Sequence, residues 1–346
     1  MNAEPSKSDD LLAGVRGWFT GGRLLYPLIG LALLLLFDMF FVKNFFALEV
    51  RDGRLYGTLI DILNQGSKVM LLAIGMTLVI ATGGVDLSVG SLMAVAGAVA
   101  AVLVTKTTLP VPVICAAGIA VVVLLGMFNG VLVSLAGIQP IVATLILMVA
   151  GRGIAMLLTD GQIVTFENEA LVYIGNGAFL GLPFTVTLVL LVWAATMLLT
   201  RRTAAGLFVE AVGDNETASR FCGVPSRLVK TGVYGFSAAC AGVAGLIAAS
   251  NIKAADSSRV GEMMELDAIF AVVVGGTALT GGRFTLAGSI VGALLIQTLT
   301  TTMVSLNVSP AIIPVPKAVV IVAVCLLQSA KFRTEVARLL GRRPVA

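Results

Sequence analysis

Ten predominantly apolar stretches, each close to the length that crosses a lipid bilayer, run through this chain of 346 residues. A hydrocarbon core about 30 Å thick takes roughly 20 residues of helix. Only 12% of the residues are charged, about half the share in a soluble domain, so the chain cannot give such a core a water-facing coat. The sequence therefore predicts an all-α integral membrane protein with about ten transmembrane helices. The predicted spans are 24–42, 59–82, 87–105, 111–135, 139–158, 182–200, 229–250, 264–280, 284–306 and 311–330.

Lysine and arginine are distributed unevenly between the two sets of connecting segments. Cytoplasmic loops of membrane proteins carry the excess of basic residues. The distribution places both termini in the cytoplasm, with 1–23 as an N-terminal tail, 24–330 as the transmembrane domain and 331–346 as a C-terminal tail. The same bias accounts for the net charge of +4. Since no basic stripe with interleaved aromatic residues occurs, we expect membrane lipid and no nucleic acid as a partner.

The residue types that carry most enzyme chemistry are missing or scattered. The chain contains no histidine, which excludes histidine-based acid–base catalysis and histidine metal or haem sites. Four cysteines lie in apolar segments at spacings that fit neither a metal site nor a redox pair. These are Cys115, Cys222, Cys240 and Cys325. We expect a protein without a catalytic residue, a metal or a cofactor of its own.

Two glycine-rich segments resemble each other. GGVDLSVGS at 83–91 and GGRFTLAGS at 281–289 each follow an apolar stretch and open another. Repeated halves are common in transporters, so the pair indicates either an internal repeat of two halves or glycine-rich turns that are alike by chance. The predicted topology places both segments on the same side of the membrane, which an inverted repeat would not do.

Two connecting segments are long. The outer one, 159–181, contains acidic residues and glycine and is predicted to have no clear helix. The cytoplasmic one, 201–228, contains signals for a short helix. Asp214 or Asn215 can cap its first amides, and Glu216 suits its positive end. Gly223 can close it in the left-handed conformation.

The interior of this short helix spans about two turns. Glu216 and Arg220 are spaced to form an i,i+4 ion pair, and Ala218, Phe221 and Cys222 form an apolar edge. Two turns are too short to be stable alone in water. The helix must therefore pack either on the ends of its own spans or in a groove of a separate protein, whose motion it would then transmit.

Several segments together resemble a known family. The pattern Gly213-x-Asn215-x-x-Ala218-x-Arg220-x-x-Gly223 is similar to the coupling loop of permeases in ribose/galactose-class ABC importers, which belong to the branched-chain amino acid/monosaccharide permease superfamily. The stretches 75–91, 129–130 and 274–276 resemble further motifs of that family. The likeness covers about 58–330. The segments 139–153 and 161–166 resemble permeases of galactofuranose importers.

The resemblance implies a permease subunit that imports a monosaccharide across the bacterial inner membrane. The preferred sugar is galactofuranose, and the alternatives are sugars like ribose, galactose or xylose. Its implied partners are a cytoplasmic ATPase subunit that holds ATP and Mg, a periplasmic sugar-binding protein and a second permease, identical or homologous. The chain has no Gly-x-x-x-x-Gly-Lys-Ser/Thr phosphate loop of its own. The implied contacts with the ATPase are Gly213, Asp214, Asn215, Glu216, Ala218, Arg220, Phe221 and Gly223.

Charged residues within the predicted spans each require a reason, because a charge at mid-bilayer costs at least about 2.5–3.5 kcal/mol. Asp86 is expected to cap the third span, to contact sugar, or both. Arg152 is expected to pair with a carboxylate such as Asp86, to reach the interface or to line the pathway. Asp38 is expected at the outer interface. Glu265 and Asp267 are expected to open the eighth span at its outer end.

A neutral sugar needs hydrogen-bonding amides and hydroxyls along its path. Each such residue can instead bridge two helices, and that alternative stays open for all of them. The candidates for the path are Asn64, Gln65, Asp86, Ser88, Asn129, Gln139, Thr144, Arg152 and Gln297.

Other functions fit the sequence less well. An ion-coupled secondary transporter needs titratable groups deep in the membrane, and only Asp86 and Arg152 qualify. A membrane-embedded enzyme or a channel would show a cluster of reactive side chains. A scaffold protein would not need about ten spans with glycine-rich breaks.

Overall fold

The computed structural model describes residues 24–51 and 53–328, so the predicted tails 1–23 and 331–346 lie outside the described residues. This part of the chain is mostly helical. Its helices are α1 (Leu25–Phe41), α2 (Thr58–Ala81), α3 (Val89–Lys106), α4 (Val111–Ser134), α5 (Pro140–Leu158), α6 (Glu169–Asn176), α7 (Phe184–Arg202), α8 (Ala204–Asp214), α9 (Glu216–Phe221), α10 (Ser226–Ile252), α11 (Met264–Val274), α12 (Leu286–Ser305) and α13 (Pro314–Gln328).

Every predicted span coincides with a helix. Seven of these helices are long and apolar enough to cross a membrane, namely α2, α3, α4, α5, α7, α10 and α12. The others are shorter, with 17 residues in α1, 11 in α11 and 15 in α13. The prediction of a helical membrane protein is confirmed. The described residues contain seven candidate spans together with shorter apolar helices.

The predicted span 264–280 is wrong in length, because α11 ends at Val274. Gly275 packs so closely on Gly288 of α12 that a methyl group on it would overlap the Gly288 backbone. Gly276 then has φ +90°, a left-handed conformation that glycine adopts without strain. The segment 275–285 is consequently irregular backbone.

The prediction that 159–181 has no clear helix is also wrong. α6 lies there, and its N-cap residue Asn168 accepts hydrogen bonds from the amides of Ala170 and Leu171 at 3.1 and 3.2 Å. The described residues also contain short antiparallel strand pairs, so the chain is not purely α. The pairs are β1 (Glu49–Arg51) with β2 (Arg54–Tyr56), β3 (Val164–Thr165) with β6 (Ala254–Ala255), and β4 (Ala178–Phe179) with β5 (Leu182–Pro183).

The core is formed by α2, α3 and α10, whose residues are mostly buried. Small residues let these helices approach closely: a methyl on Gly75 of α2 would lie 2.8 Å from the Cα of Ser237 in α10. By contrast, only a minority of the residues in α4, α5 and α7 are buried, and these helices carry large apolar side chains outward. Leu124, Leu157 and Leu191 are examples, each more than 60% exposed. An apolar surface of this extent is suited to lipid.

Contacts between helix ends define two ends of the molecule. At the end that contains α9, the amide of Gly282 donates to the carbonyl of Ala81 at 2.9 Å, which joins the end of α2 to the segment before α12. At the other end, called the far end below, β3 pairs with β6 directly after α10. Because α10 has 27 residues, the two ends lie about 40 Å apart along it.

The two similar glycine segments lie side by side at the α9 end. A methyl on Gly281 would lie 3.0 Å from the backbone nitrogen of Gly83 and 3.1 Å from its Cα. Both glycines have positive φ, +76° at Gly83 and +90° at Gly281. The chain reverses direction at each pair, so the turn before α3 and the turn before α12 support each other through backbone contacts.

Candidate functional site

The short helix predicted between 201 and 228 is present as α9. Asn215 is its N-cap, since its Oδ1 accepts from the amide of Ala218 at 2.9 Å, and Asp214 is instead the last residue of α8. Gly223 has φ +83°. The amide of Val224 donates to the carbonyl of Ser219 at 3.0 Å, which closes the helix. The local prediction of both caps is confirmed.

Two ion pairs hold α9. The carboxylate of Glu216 binds Arg220 of the same helix and Lys230 of α10, each at 2.5 Å. Burial alone would raise the pKa of Glu216, but the hydrogen bonds and charges of Lys230 and Arg220 outweigh it and hold the pKa below its usual value of 4.5. The carboxylate is therefore charged at neutral pH and ties α9 to the start of α10.

The apolar edge of α9 is exposed. Phe221 is 88% exposed, and Ala218 and Cys222 are exposed beside it. The opposite side of α9 is held by Ser219, which is buried and donates to the carbonyl of Ala211 in α8 at 2.7 Å. The polar side of α9 thus packs against the rest of the chain, and its apolar side faces outward.

A groove of about 630 Å³ lies next to α9, between α8 and the segment 278–283. Glu210 and Asp214 of α8 and Arg283 line it. Gly213 of α8 packs tightly on the end of α2, because any side chain at this position would overlap the carbonyl oxygen of Ala81. The end of α8 therefore packs directly on the end of α2.

Asp86 belongs to a buried polar network. Its Oδ1 accepts from the amide and the hydroxyl of Ser88 at 3.0 and 2.6 Å, and its Oδ2 accepts from Ser237 of α10 at 3.1 Å. Asn129 of α4 donates to the Ser88 hydroxyl at 3.2 Å. The prediction that Asp86 is the N-cap of α3 is wrong in detail: Ser88 holds that position, and Asp86 forms a turn onto it.

Arg152 does not pair with Asp86, the carboxylate named as its example partner, and its charge interacts instead with that of Glu265 in α11. Its Nη1 donates to the carbonyls of Ser257 and Val260 at 3.0 and 2.6 Å. Five donors on one guanidinium suit it to several carbonyls at once. Arg152 thereby fixes the segment between β6 and α11 to α5.

Asp38, predicted at the outer interface, lies in the last turn of α1 and is fully buried within the chain. Its carboxylate accepts from the hydroxyl of Thr302 in α12 at 2.8 and 3.0 Å. Pro27 and Asp38 are the buried residues of α1, whose remaining described side chains are partly or largely exposed. The bond to Thr302 therefore anchors α1 to α12.

Glu265 and Asp267 lie in the first turn of α11, as predicted. Asp267 also binds Lys317 of α13, with Nζ 2.8 Å from its Oδ2. Lys317 was not among the sequence candidates. Its role depends on two helices meeting in space, which no local pattern reveals.

The structure separates the remaining polar candidates. Asn64 accepts from Thr185 at 2.8 Å, and Thr144 donates to the carbonyl of Pro140 at 2.9 Å, so both bind to other parts of the chain. Gln139 is exposed and precedes α5. Gln65 and Gln297, by contrast, line the same cavity.

This cavity, called the far-end cavity below, has a volume of about 410 Å³ and lies between α2, α10, α11, α12 and α13. Most of the polar groups in it come from residues that the sequence reasoning missed. Its polar lining is Gln65, Lys68, Asn251, Asp267, Gln297, Thr300 and Lys317. The Gln65 and Lys68 side chains share a hydrogen bond of 2.5 Å.

Comparison with known proteins agrees with these features. Residues 58–328 match the family described as branched-chain amino acid transport system / permease component. The chain is 48% identical to the galactofuranose transporter permease protein YtfT of Escherichia coli (strain K12), over 91% of each chain. It is 38% identical to the fructose import permease protein FruF of Bifidobacterium longum (strain NCC 2705), over 93% of this chain and 92% of the relative.

The chain is also 36% identical to the ribose import permease protein RbsC of Escherichia coli (strain K12), over 91% of this chain and 97% of the relative. No solved structure matches. The family match covers all seven candidate spans, the irregular segment 275–285 and the helix α9. The chain belongs to the permease components of the branched-chain amino acid transport system family.

Proposed function

We propose that the chain is the permease subunit of an ATP-driven monosaccharide importer, with galactofuranose as its sugar. Relatives that match nearly the whole chain are named for galactofuranose, fructose and ribose, which are all monosaccharides. The first of these is 48% identical. As a member of a permease family with several candidate spans, the chain is a transport subunit of the bacterial inner membrane and not an enzyme.

The importer requires partners. A cytoplasmic ATPase subunit holds ATP and Mg, a periplasmic protein delivers the sugar, and a second permease, identical or homologous, completes the membrane part. In this arrangement ten helices cross or enter the membrane, the α9 end faces the cytoplasm, and the tails 1–23 and 331–346 flank a membrane domain of 24–330. Arg201 and Arg202, next to the α9 end, support this orientation.

One observation carries the coupling role: α9 is fixed to its own chain on one side while Phe221 on the other is 88% exposed. A phenylalanine so exposed, on a helix too short to stand alone, is suited to a groove in a partner. If the ATPase displaces α9, the ion pair between Glu216 and Lys230 would transmit that displacement to α10, which is central to the core. The residues proposed to contact or shape the contact with the ATPase are Gly213, Asp214, Asn215, Glu216, Ala218, Arg220, Phe221 and Gly223.

Five of the path candidates fall into two groups. Asp86, Ser88 and Asn129 are fully buried and bonded to one another, which supports a role in holding α3, α4 and α10 together. Gln65 and Gln297 face open space. We assign sugar contact to this second group.

Uptake by the complete importer in proteoliposomes tests the substrate. We expect labelled galactose, which includes a furanose form in solution, to accumulate when ATP and the sugar-binding protein are supplied, and excess ribose or fructose to compete weakly. Stronger competition by ribose or fructose would reassign the sugar. Uptake by the chain alone under a proton or sodium gradient would replace this function with ion-coupled transport.

A further inference from the structure

We propose that the far-end cavity is a monosaccharide-binding subsite within this single chain. The inference rests on the proposed function for the identity of its ligand. Its volume of about 410 Å³ lies within the range of about 300–1,000 Å³ typical of small-molecule sites. Its position at the last residues of α10 places it at the end opposite α9. A sugar delivered from that side meets this cavity before it can reach the middle of the molecule.

The lining has the chemistry that a polyol requires. The side-chain amides of Gln65 and Gln297 supply both donors and acceptors, the hydroxyl of Thr300 supplies an acceptor because its proton goes to the carbonyl of Ile296 at 2.9 Å, and Asn251 also lines the cavity. Sugar hydroxyls also act as both donor and acceptor, so adjacent hydroxyls can bind an amide through two hydrogen bonds. These groups come from three different helices and converge on one space.

The charged side chains in the cavity are suited to a neutral ligand whose oxygen atoms accept hydrogen bonds. Lys317 is neutralised by Asp267 at 2.8 Å. Lys68 binds the amide oxygen of Gln65, and among the described residues no carboxylate pairs with it. Its ammonium group carries three donors, of which Gln65 takes one. The remaining donors are available to hydroxyl oxygens, while the surplus positive charge disfavours a cation.

The position of Gln297 depends on a glycine. A methyl on Gly66 of α2 would lie 3.2 Å from the Cγ of Gln297, closer than ordinary van der Waals contact. Gly66 therefore leaves room for the amide between α2 and α12. Arg152 fixes the adjacent wall, because its hydrogen bonds hold the carbonyls of Ser257 and Val260 just before α11.

The test uses the complete importer in proteoliposomes, with labelled galactose and with ribose as a second probe. Gln297→Leu and Thr300→Val each remove hydrogen-bonding groups at similar size, and Lys68→Met removes the ammonium group. We expect each variant to raise the sugar concentration for half-maximal uptake several-fold, up to about tenfold. ATP hydrolysis without sugar should not change. Thr105→Val is the matched control for Thr300→Val and should transport normally, because Thr105 is exposed near the end of α3 and its hydroxyl likewise donates to a carbonyl of its own helix, that of Ala101 at 2.8 Å.

Two results would overturn the subsite. One is an unchanged half-saturating concentration in all three cavity variants. The other is a lower maximal rate at an unchanged half-saturating concentration, since that reports a structural role. If Gln297→Leu fails to assemble, Thr300→Val and Lys68→Met decide the question. A wild-type importer without ATP-driven sugar uptake would instead contradict the proposed function, so the two failures are distinguishable.

Discussion

Glu216 of α9 and Lys230 of α10 form an ion pair in which the lysine side chain is only 15% exposed. Lys230 lies in the first turns of α10, the longest described helix, which packs against α2, α3 and α4. A displacement of α9 therefore acts on a partly buried charge in the core element. This is the structural basis for the proposed coupling between an ATPase and the membrane helices.

Charge reversal at Glu216 should uncouple transport. Glu216→Lys removes two ion pairs and places like charges beside Lys230 and Arg220. With about 0.2–1 kcal/mol for each pair, we expect a loss of about 1–2 kcal/mol, a five- to thirty-fold shift away from the native position of α9. ATP-driven uptake should fall accordingly while membrane insertion persists. Normal uptake by this variant would remove the coupling role of the ion pair.

The ion pair also predicts a pH dependence. Folding lowers the pKa of Glu216 below 4.5, so its contribution is fully present above that value and is lost as the pH falls through the lowered pKa. Hydrogen exchange of the α9 amides, corrected for intrinsic rates, should show constant protection between about pH 5 and pH 8. Protection should fall below about pH 4.5, and Glu216→Gln should abolish this step. A step near neutral pH would contradict the assignment.

Gly223 tests the end of α9. Its φ of +83° cannot be adopted by proline, whose ring fixes φ near −65° and which has no amide to donate to Arg220. We expect Gly223→Pro to abolish ATP-dependent uptake. Gly223→Asn should retain most of it, because asparagine tolerates the left-handed conformation. Equal loss in both variants would indicate that side-chain space, not backbone conformation, is limiting.

Phe221 tests the docking surface. Burying a phenylalanine side chain contributes about 1.5–3 kcal/mol, so Phe221→Ala should weaken co-purification with the ATPase subunit at least tenfold. Because the side chain is 88% exposed, the melting temperature of the isolated permease should not change. Leu180→Ala, an apolar residue 87% exposed at another site, is the control. Undiminished ATPase binding by Phe221→Ala would place the contact elsewhere.

Arg152 tests the wall of the far-end cavity. Hydrogen bonds to charged groups contribute about 1.5–3 kcal/mol each, and Arg152→Met loses two, to Ser257 and Val260. We expect a lower melting temperature and reduced uptake. Arg152→Lys keeps the charge but not the planar group, so it should recover part of both. A variant as stable as the wild type would show that the segment before α11 needs no such support.

Local signals in the sequence predicted local structure well. Asn215 and Gly223 marked the two ends of α9 because caps depend on residues within one turn. The pair Asn168–Glu169 carries the same kind of signal for α6, which the composition of that loop obscured. The apolar stretches located all ten helices that coincide with predicted spans, since span length is set by the bilayer.

Contacts between distant parts of the chain were not predictable in this way. α11 ends where Gly275 meets Gly288 of another helix, and the buried carboxylate of Asp38 accepts a hydrogen bond from Thr302 of α12. Arg152 donates to the backbone carbonyl of Val260, and a sequence pattern of side chains does not reveal such a partner. The far-end cavity likewise combines Lys68, Asn251 and Lys317 from three helices.

The most direct test of the central claim is sugar uptake by reconstituted permease, measured with and without the ATPase subunit. The account predicts uptake that requires the ATPase and ATP, and that disappears when Phe221 is replaced by aspartate. ATP-independent accumulation of sugar by the permease alone would contradict it.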